Sequence, residues 1–154
     1  PEEWAPTTQP LVFDLKDYLF MALILKEQDF RASMKTHDWS QYKDKVLCVF
    51  CSTDAIIPSW GYMLVATMAA PYAKEVFFGT PDQWISRQLL QYVNQLDLTP
   101  YTDQRVIIKG CSDHVAIGPE IYVALTSRLV PVVKSLMFGE PCSTVPVFKR
   151  PKGA

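Results

Sequence analysis

Two stretches of the chain set a cysteine in the same kind of corner. Residues 50–58 read FCSTDAIIP and residues 110–119 read GCSDHVAIGP. In each, a Cys-Ser pair follows an apolar run, a polar residue stands three positions after the cysteine, and a proline suits the first turn of a helix. The polar residues are Asp54 and His114, so Cys51, Asp54, Cys111 and His114 are all of ligand type. A third corner, GEPCSTVP, places Cys142 after another apolar run. Three thiolates completed by one His or Asp suit zinc, and thiolate-rich sets also take iron or an iron–sulfur cluster. A serine follows each of the three cysteines, and its hydroxyl or N–H is positioned to bond a sulfur. Cys-x-x-Asp and Cys-x-x-His remain a looser signal than paired Cys-x-x-Cys motifs.

The plain alternatives use the same residues. Cysteine is often buried as a small hydrophobe, and Cys48 inside VLCVF reads that way. Asp54 reads equally as a turn residue, His114 as a loop residue and His37 as an exposed helix end. Trp39, Trp60 and Trp84 read as core or dimer-contact residues. A thiol enzyme would use Cys142 or Cys111 as nucleophile, since a cysteine near a helix N-terminus can have its pKa lowered, whereas a partner-binding scaffold would carry purely structural cysteines. No Gly-rich phosphate loop, G-x-S-x-G elbow or H-E-x-x-H motif accompanies them, so the expectation leans to a non-catalytic protein.

Composition narrows the partners. Of 154 residues, 49% are hydrophobic and 20% charged, which is a globular balance, and the net charge of −1 creates no field for nucleic acid or membrane. The apolar stretch from Trp60 to Ala73 is too short to span a bilayer. Four cysteines are too few for a disulfide scaffold, and a reducing cytoplasm is expected. The chain starts at Pro1, so residues preceding it are expected to be missing, which leaves room for a removed leader.

The corners belong to a longer pattern. Sliding the chain by 60 positions brings Cys51, Ser52, Tyr62, Pro71, Lys74, Phe78, Gly79 and Pro81 onto Cys111, Ser112, Tyr122, Pro131, Lys134, Phe138, Gly139 and Pro141. At 59 positions, Asp38, Tyr42 and Asp44 fall on Asp97, Tyr101 and Asp103, which places one insertion near Arg105. Repeat one spans about 38–81 and repeat two about 97–141. Each reads as strand–helix–strand with a parallel pair: Val46–Phe50, a helix after Pro58 and Glu75–Phe78, then Arg105–Lys109, a helix from Pro119 and Ser135–Phe138. Leu11–Asp14 is an expected edge strand, Lys16–His37 carries one or two helices, and Gln83–Leu96 is a linking helix. Thr144–Phe148 is a last edge strand because of Pro146. The expectation is one α/β domain over 1–154, with a mixed sheet, an approximate internal two-fold and flexible ends at 1–10 and 149–154. Parallel strands collect ligands at their carboxyl ends, where Cys51, Cys111 and Cys142 fall.

The blocks KDYLFMALILKEQDFR (16–31), HDWSQYKDK (37–45), CSTDAIIPSWGYMLV (51–65), PYAKEVFFG (71–79), KGCS (109–112) and VVKSLMFGEPCSTVPVFKR (132–150) resemble an uncharacterised bacterial family. It occurs mainly in Bacteroidetes and is catalogued as domain of unknown function 2480. The resemblance covers nearly the whole chain. It implies a small cytoplasmic domain of unassigned function, with Cys51, Cys111 and Cys142 inside the family pattern and His114 outside it. Asp54, water or a partner then supplies the fourth position. The resemblance also implies a link to iron–sulfur or sulfur metabolism. The combined expectation is an accessory protein binding Zn, Fe or an Fe–S cluster where the repeats meet. A homodimer and a protein partner in metal or sulfur handling go with it.

Overall fold

The computed structural model of the protein describes residues 8–110, 117–140 and 142–151. Its elements run β1 (Leu11–Asp14), α1 (Glu27–Thr36), β2 (Val46–Phe50), α2 (Ser59–Ala69), β3 (Glu75–Phe78), α3 (Pro81–Gln95), β4 (Arg105–Ile108), α4 (Pro119–Leu129), β5 (Ser135–Glu140) and β6 (Ser143–Lys149). The fold is mixed α/β, but the single mixed sheet expected from sequence is two three-stranded sheets. They lie in two compact units, residues 8–85 and 86–151 of those described, with the change from one to the other falling inside α3. Among the described residues, no helix is long and apolar enough to cross a membrane.

The first unit is built on VLCVF. Parallel β1 and β3 flank β2, in registers running from Leu11↔Leu47 to Asp14↔Phe50 and from Val46↔Glu75 to Val49↔Phe78. Successive side chains of a strand point to opposite faces, so β2 has two partners. Leu47 and Val49 join the main core with Phe13, Leu15, Phe30, Met34, Trp39 and Val65. Val46 and Cys48 pack with Trp84 on the other side. Each fully buried large side chain contributes about 1.5–3 kcal/mol relative to exposure, which is why a continuous apolar run holds the centre of the sheet. Helix α1 presents Phe30 and Met34, four residues apart on one face, to this core.

Lys16–His37 differs from a simple one- or two-helix reading. A short 3-10 turn, Leu15–Tyr18, is capped by Asp14. A narrow apolar finger follows, closed by a bridge between Phe20 and Ile24. Met21 and Ala22 have φ of 51° and 58° at its tip. Two successive left-handed residues match a type I′ turn, normally filled by Asn-Gly. The helix formers of FMALIL are overridden there, and only Glu27–Thr36 forms an α-helix. His37 caps the end of α1 yet is half-buried, not exposed as expected. Its ring lies 4.7 Å from that of Trp39 and 5.3 Å from that of Phe13, where tertiary packing outweighs its terminal position.

The second unit pairs β4 with β5 in parallel, from Arg105↔Ser135 to Ile108↔Phe138, and β5 with β6 antiparallel. The ladder shifts register between Leu136 and Met137, and Pro146 lies opposite Met137 in β6, at the margin of the sheet. Lys149 closes β6, and the expected free end is tied down as far as Arg150, whose N–H donates to the Lys134 carbonyl at 3.0 Å. Val46 pairs with Glu75 and Arg105 with Ser135, so the first strands are 59 positions apart and the second strands 60. The change of separation from 59 to 60 falls after Ile108, a few residues beyond Arg105.

Several local devices recur at these separations. Asp38 accepts from the Ser40 N–H and hydroxyl at 3.0 and 2.5 Å, and Asp97 from those of Thr99 at 3.0 and 2.7 Å. Asp44 and Asp103 are left-handed, with φ of 59° and 56°, and donate to the carbonyls of Tyr72 and Val132 at 3.0 and 2.9 Å. The D-x-x-x-Y-x-D pattern is thus a turn device that leads the chain into each first strand. Gly79 and Gly139 have φ of 136° and 120°, a region nearly closed to other residues.

Candidate functional site

Three strands of the first unit end side by side, and their last residues build a polar corner. Asp14, at the end of β1, keeps only 12% of its side-chain surface exposed. One of its carboxylate oxygens accepts from the Lys16 and Ser52 N–H groups, each at 3.0 Å. The second of these bonds ties the end of β1 to the residue after Cys51. Burial alone would raise the Asp14 pKa, but hydrogen bonds from Ser52 and Lys16 outweigh it and hold the carboxyl below its usual range.

Cys51 follows the last residue of β2 and is half-buried, with its sulfur 3.3 Å from the Thr53 hydroxyl. Tyr62, from the first turn of α2, packs edge-on against Phe78 with ring centres 5.0 Å apart. Burial first, then the negative potential of Cys51 and Asp14, pushes its hydroxyl above the usual tyrosine range. Asp14, Cys51, Thr53 and Tyr62 therefore share one corner. Asp54 is exposed on the loop beyond, and it does not cap α2, which begins without a side-chain cap. Cys48 is fully buried in the core, as its strand position implied.

In the second unit, Lys109 and Glu140 form an ion pair at 3.3 Å just past β4 and at the end of β5. Tyr122 donates to the Gly110 carbonyl at 3.3 Å and packs edge-on against Phe138 at 5.5 Å. Cys142 is exposed in the connection between β5 and β6. Cys111 and His114 lie outside the described residues. A cavity of about 220 Å³ opens between β4 and α4, lined by Ile107, Ile117, Ile121, Tyr122, Leu125 and Leu129 among others. Its walls are mostly apolar, with Tyr101, Lys109 and Tyr122 as the polar side chains among them.

The structure thus assigns each described candidate a place: Cys51 in a hydrogen-bonded corner, and Asp54 and Cys142 on exposed turns. Among the described residues, no group of three or more His, Cys, Asp or Glu side chains is close enough to hold a metal ion. Sequence reasoning passed over Asp14, although an acid closing the LVFD strand beside a capped turn was a usable sign. It also passed over the His37 network. His37 Nε2 lies 2.9 Å from the Tyr42 hydroxyl and Nδ1 lies 3.4 Å from that of Tyr18. Burial lowers the His37 pKa and pushes that of Tyr42 up to about 12.

A family model matches residues 1–150, which takes in all three cysteine corners. The chain belongs to that family, described as Protein of unknown function (DUF2480). The DUF2480 description carries no activity, substrate or cofactor. No curated protein and no solved structure matches the chain.

Proposed function

We propose that this DUF2480 protein is an accessory protein that binds Zn, Fe or an Fe–S cluster through thiolates, with no reaction of its own. One observation carries the reading: the cysteines divide by depth. Cys48 is sealed in the core, whereas Cys51, three residues on, sits half-buried among polar partners at the carboxyl end of the central strand. That end is where open parallel sheets take their ligands. Cys51 with Asp54 would supply ligands from the first unit, and Cys111 with His114, and Cys142, from the second. In this reading the two strand–helix–strand segments descend from one repeated element, related by an approximate two-fold. The recurring Asp turns and Tyr–Phe contacts support a common origin.

The test is elemental analysis and an absorbance spectrum of protein purified without air or chelator. Near-stoichiometric zinc or iron is expected, with loss of the metal in Cys51→Ser, Cys111→Ser and Cys142→Ser. Metal-free wild-type protein, or a Cys111→Ser variant that keeps its metal in full, overturns the proposal. In a thiol enzyme, by contrast, one cysteine of the metal-free protein would alkylate fast near neutral pH.

A further inference from the structure

The first unit carries an apolar surface that its own fold does not use. The finger bridged at Phe20 and Ile24 leaves Met21 76% exposed, Leu23 64% and Ile24 60%, with Phe20 near half. Ile56, on the loop that begins at Cys51, is 92% exposed. A cleft lined by Leu23, Ile24, Leu25, Asp54, Ala55, Ile56 and Pro58 shows that finger and loop adjoin. At about 200 Å² for each large side chain, the five exposed residues present on the order of 600 Å² of apolar surface. That is at the upper end of the largest patch on ordinary monomers.

The turn is closed by hydrogen bonds between Phe20 and Leu23 and Ile24, and Leu25 beyond it packs into the core, but the side chains at its tip stay exposed. Met21 and Ala22 hold left-handed backbone that costs about 1–2 kcal/mol per residue without glycine. Strained, non-glycine turns of this kind cluster at binding sites.

We propose that this face is where two copies of the chain meet, in a two-fold interface in which the finger of each copy seats against the Ile56 loop and cleft of the other. Three features favour a second copy. First, a two-fold interface must be self-complementary, and this face carries both a projection, at Met21 and Ile56, and a recess. Second, two such faces together cover about 1,200 Å², the lower bound of specific interfaces. They also have the apolar character of homodimer contacts. Third, the rim holds both signs of charge. Lys26 lies over the Phe20 ring at 3.4 Å and Asp54 lines the cleft. A two-fold can set Lys26 of one copy against Asp54 of the other, whereas a rim of one sign would repel its own image.

The test is sedimentation velocity of the full chain, stripped of metal with chelator, from low-micromolar to sub-millimolar protein. Chelation makes the result independent of the metal reading. The wild type is expected to show a monomer–dimer equilibrium. Met21→Glu with Ile56→Glu should raise the dimer dissociation constant at least about 30-fold, as loss of hot-spot side chains does. Met63→Glu, at another exposed apolar position, should leave it unchanged. Lys26→Asp or Asp54→Lys alone should weaken the dimer at low salt, and the two together should restore it, a result that misfolding cannot imitate. A wild type that is monomeric throughout overturns the proposal, in favour of a lipid surface if it then binds vesicles, or of a different protein if it does not. A dimer untouched by the double glutamate variant, with native circular dichroism, also overturns it.

Discussion

Asp14→Ala removes the one carboxylate that joins the end of β1 to the residue after Cys51. Two backbone hydrogen bonds are lost, from Lys16 N–H and Ser52 N–H at 3.0 Å each, together with a long ion pair to the exposed Lys16 ammonium at 3.6 Å that adds little. The first is an N-cap bond, worth about 1 kcal/mol. The second is a charge-assisted bond of about 1.5–3 kcal/mol at full burial, discounted to about 1 because Ser52 is exposed and its N–H can return to water. The expected loss is therefore about 2 kcal/mol for Asp14→Ala, and about half of that for Asp14→Asn, which keeps an acceptor oxygen. Urea unfolding near neutral pH measures both. The sign of the pH effect follows from the lowered pKa of Asp14. Its contribution is complete above the ordinary carboxylate value of 3.8 and is lost as pH falls through the lower folded value. The gap between wild type and Asp14→Ala should close across that window. Loss of the tie should also speed labelling of Cys51 by a thiol reagent. An alanine variant within about 0.5 kcal/mol of wild type, the spread of neutral surface changes, or a gap that persists in acid, refutes the reasoning.

Three further outcomes are expected. Burial lowers the His37 pKa from 6.5, with Asp38 opposing the shift only in part, so the folded state binds this proton later than the unfolded state. The urea midpoint should fall as pH drops below 6.5, with a shallower slope in His37→Gln. Gly139→Ala should cost about 1–3 kcal/mol for backbone strain, and more than Gly79→Ala. A Cβ at 139 meets the Ser143 carbonyl oxygen at 2.5 Å, whereas at 79 it meets the movable Gln83 and Phe77 side chains; thermal unfolding ranks the two. Arg128 donates to the carbonyls of Val93 and Leu96 at the end of α3. Arg128→Met should therefore cost about 1.5–3 kcal/mol and speed amide exchange in the last turn of α3.

Strands with one dominant signal were legible. LVFD, VLCVF and EVFF begin and end where the sequence placed them, because continuous apolar runs bounded by polar residues have little alternative. Helix α4 starts at Pro119, as its fixed φ favours, while Pro58 falls one place outside α2 as its cap. The parallel pairing inside each strand–helix–strand segment was legible, β2 with β3 and β4 with β5; partnership between the two segments was not. Periodicity says which face a strand buries but not which edge it meets, and so one expected sheet proved to be two. FMALIL misled because Met, Ala and Leu favour helix, while the observed turn depends on a bridge between Phe20 and Ile24 and on Asp14 fixing the entry. The contrast between Cys48 and Cys51 could be read, since a strand interior and a strand end differ in sequence. Asp14 and Tyr62 reach that corner only through the fold: the acid closing LVFD and the recurrence of Tyr62 at Tyr122 could be read, but nothing in the spacing tied either residue to Cys51.

The margins of the second sheet have a consequence for how far association can run. Among the described residues, β4 and β6 each have one unpaired edge, the usual nucleus of open-ended aggregation. Both edges are poor templates. β4 is four residues long, begins with Arg105 and is followed by Lys109. β6 carries Pro146, which has no N–H to offer, beside a break in register. At these two edges of the second sheet, continuation by another strand is discouraged. In the proposed dimer the two-fold pair would close the finger face, and growth through that face would end there.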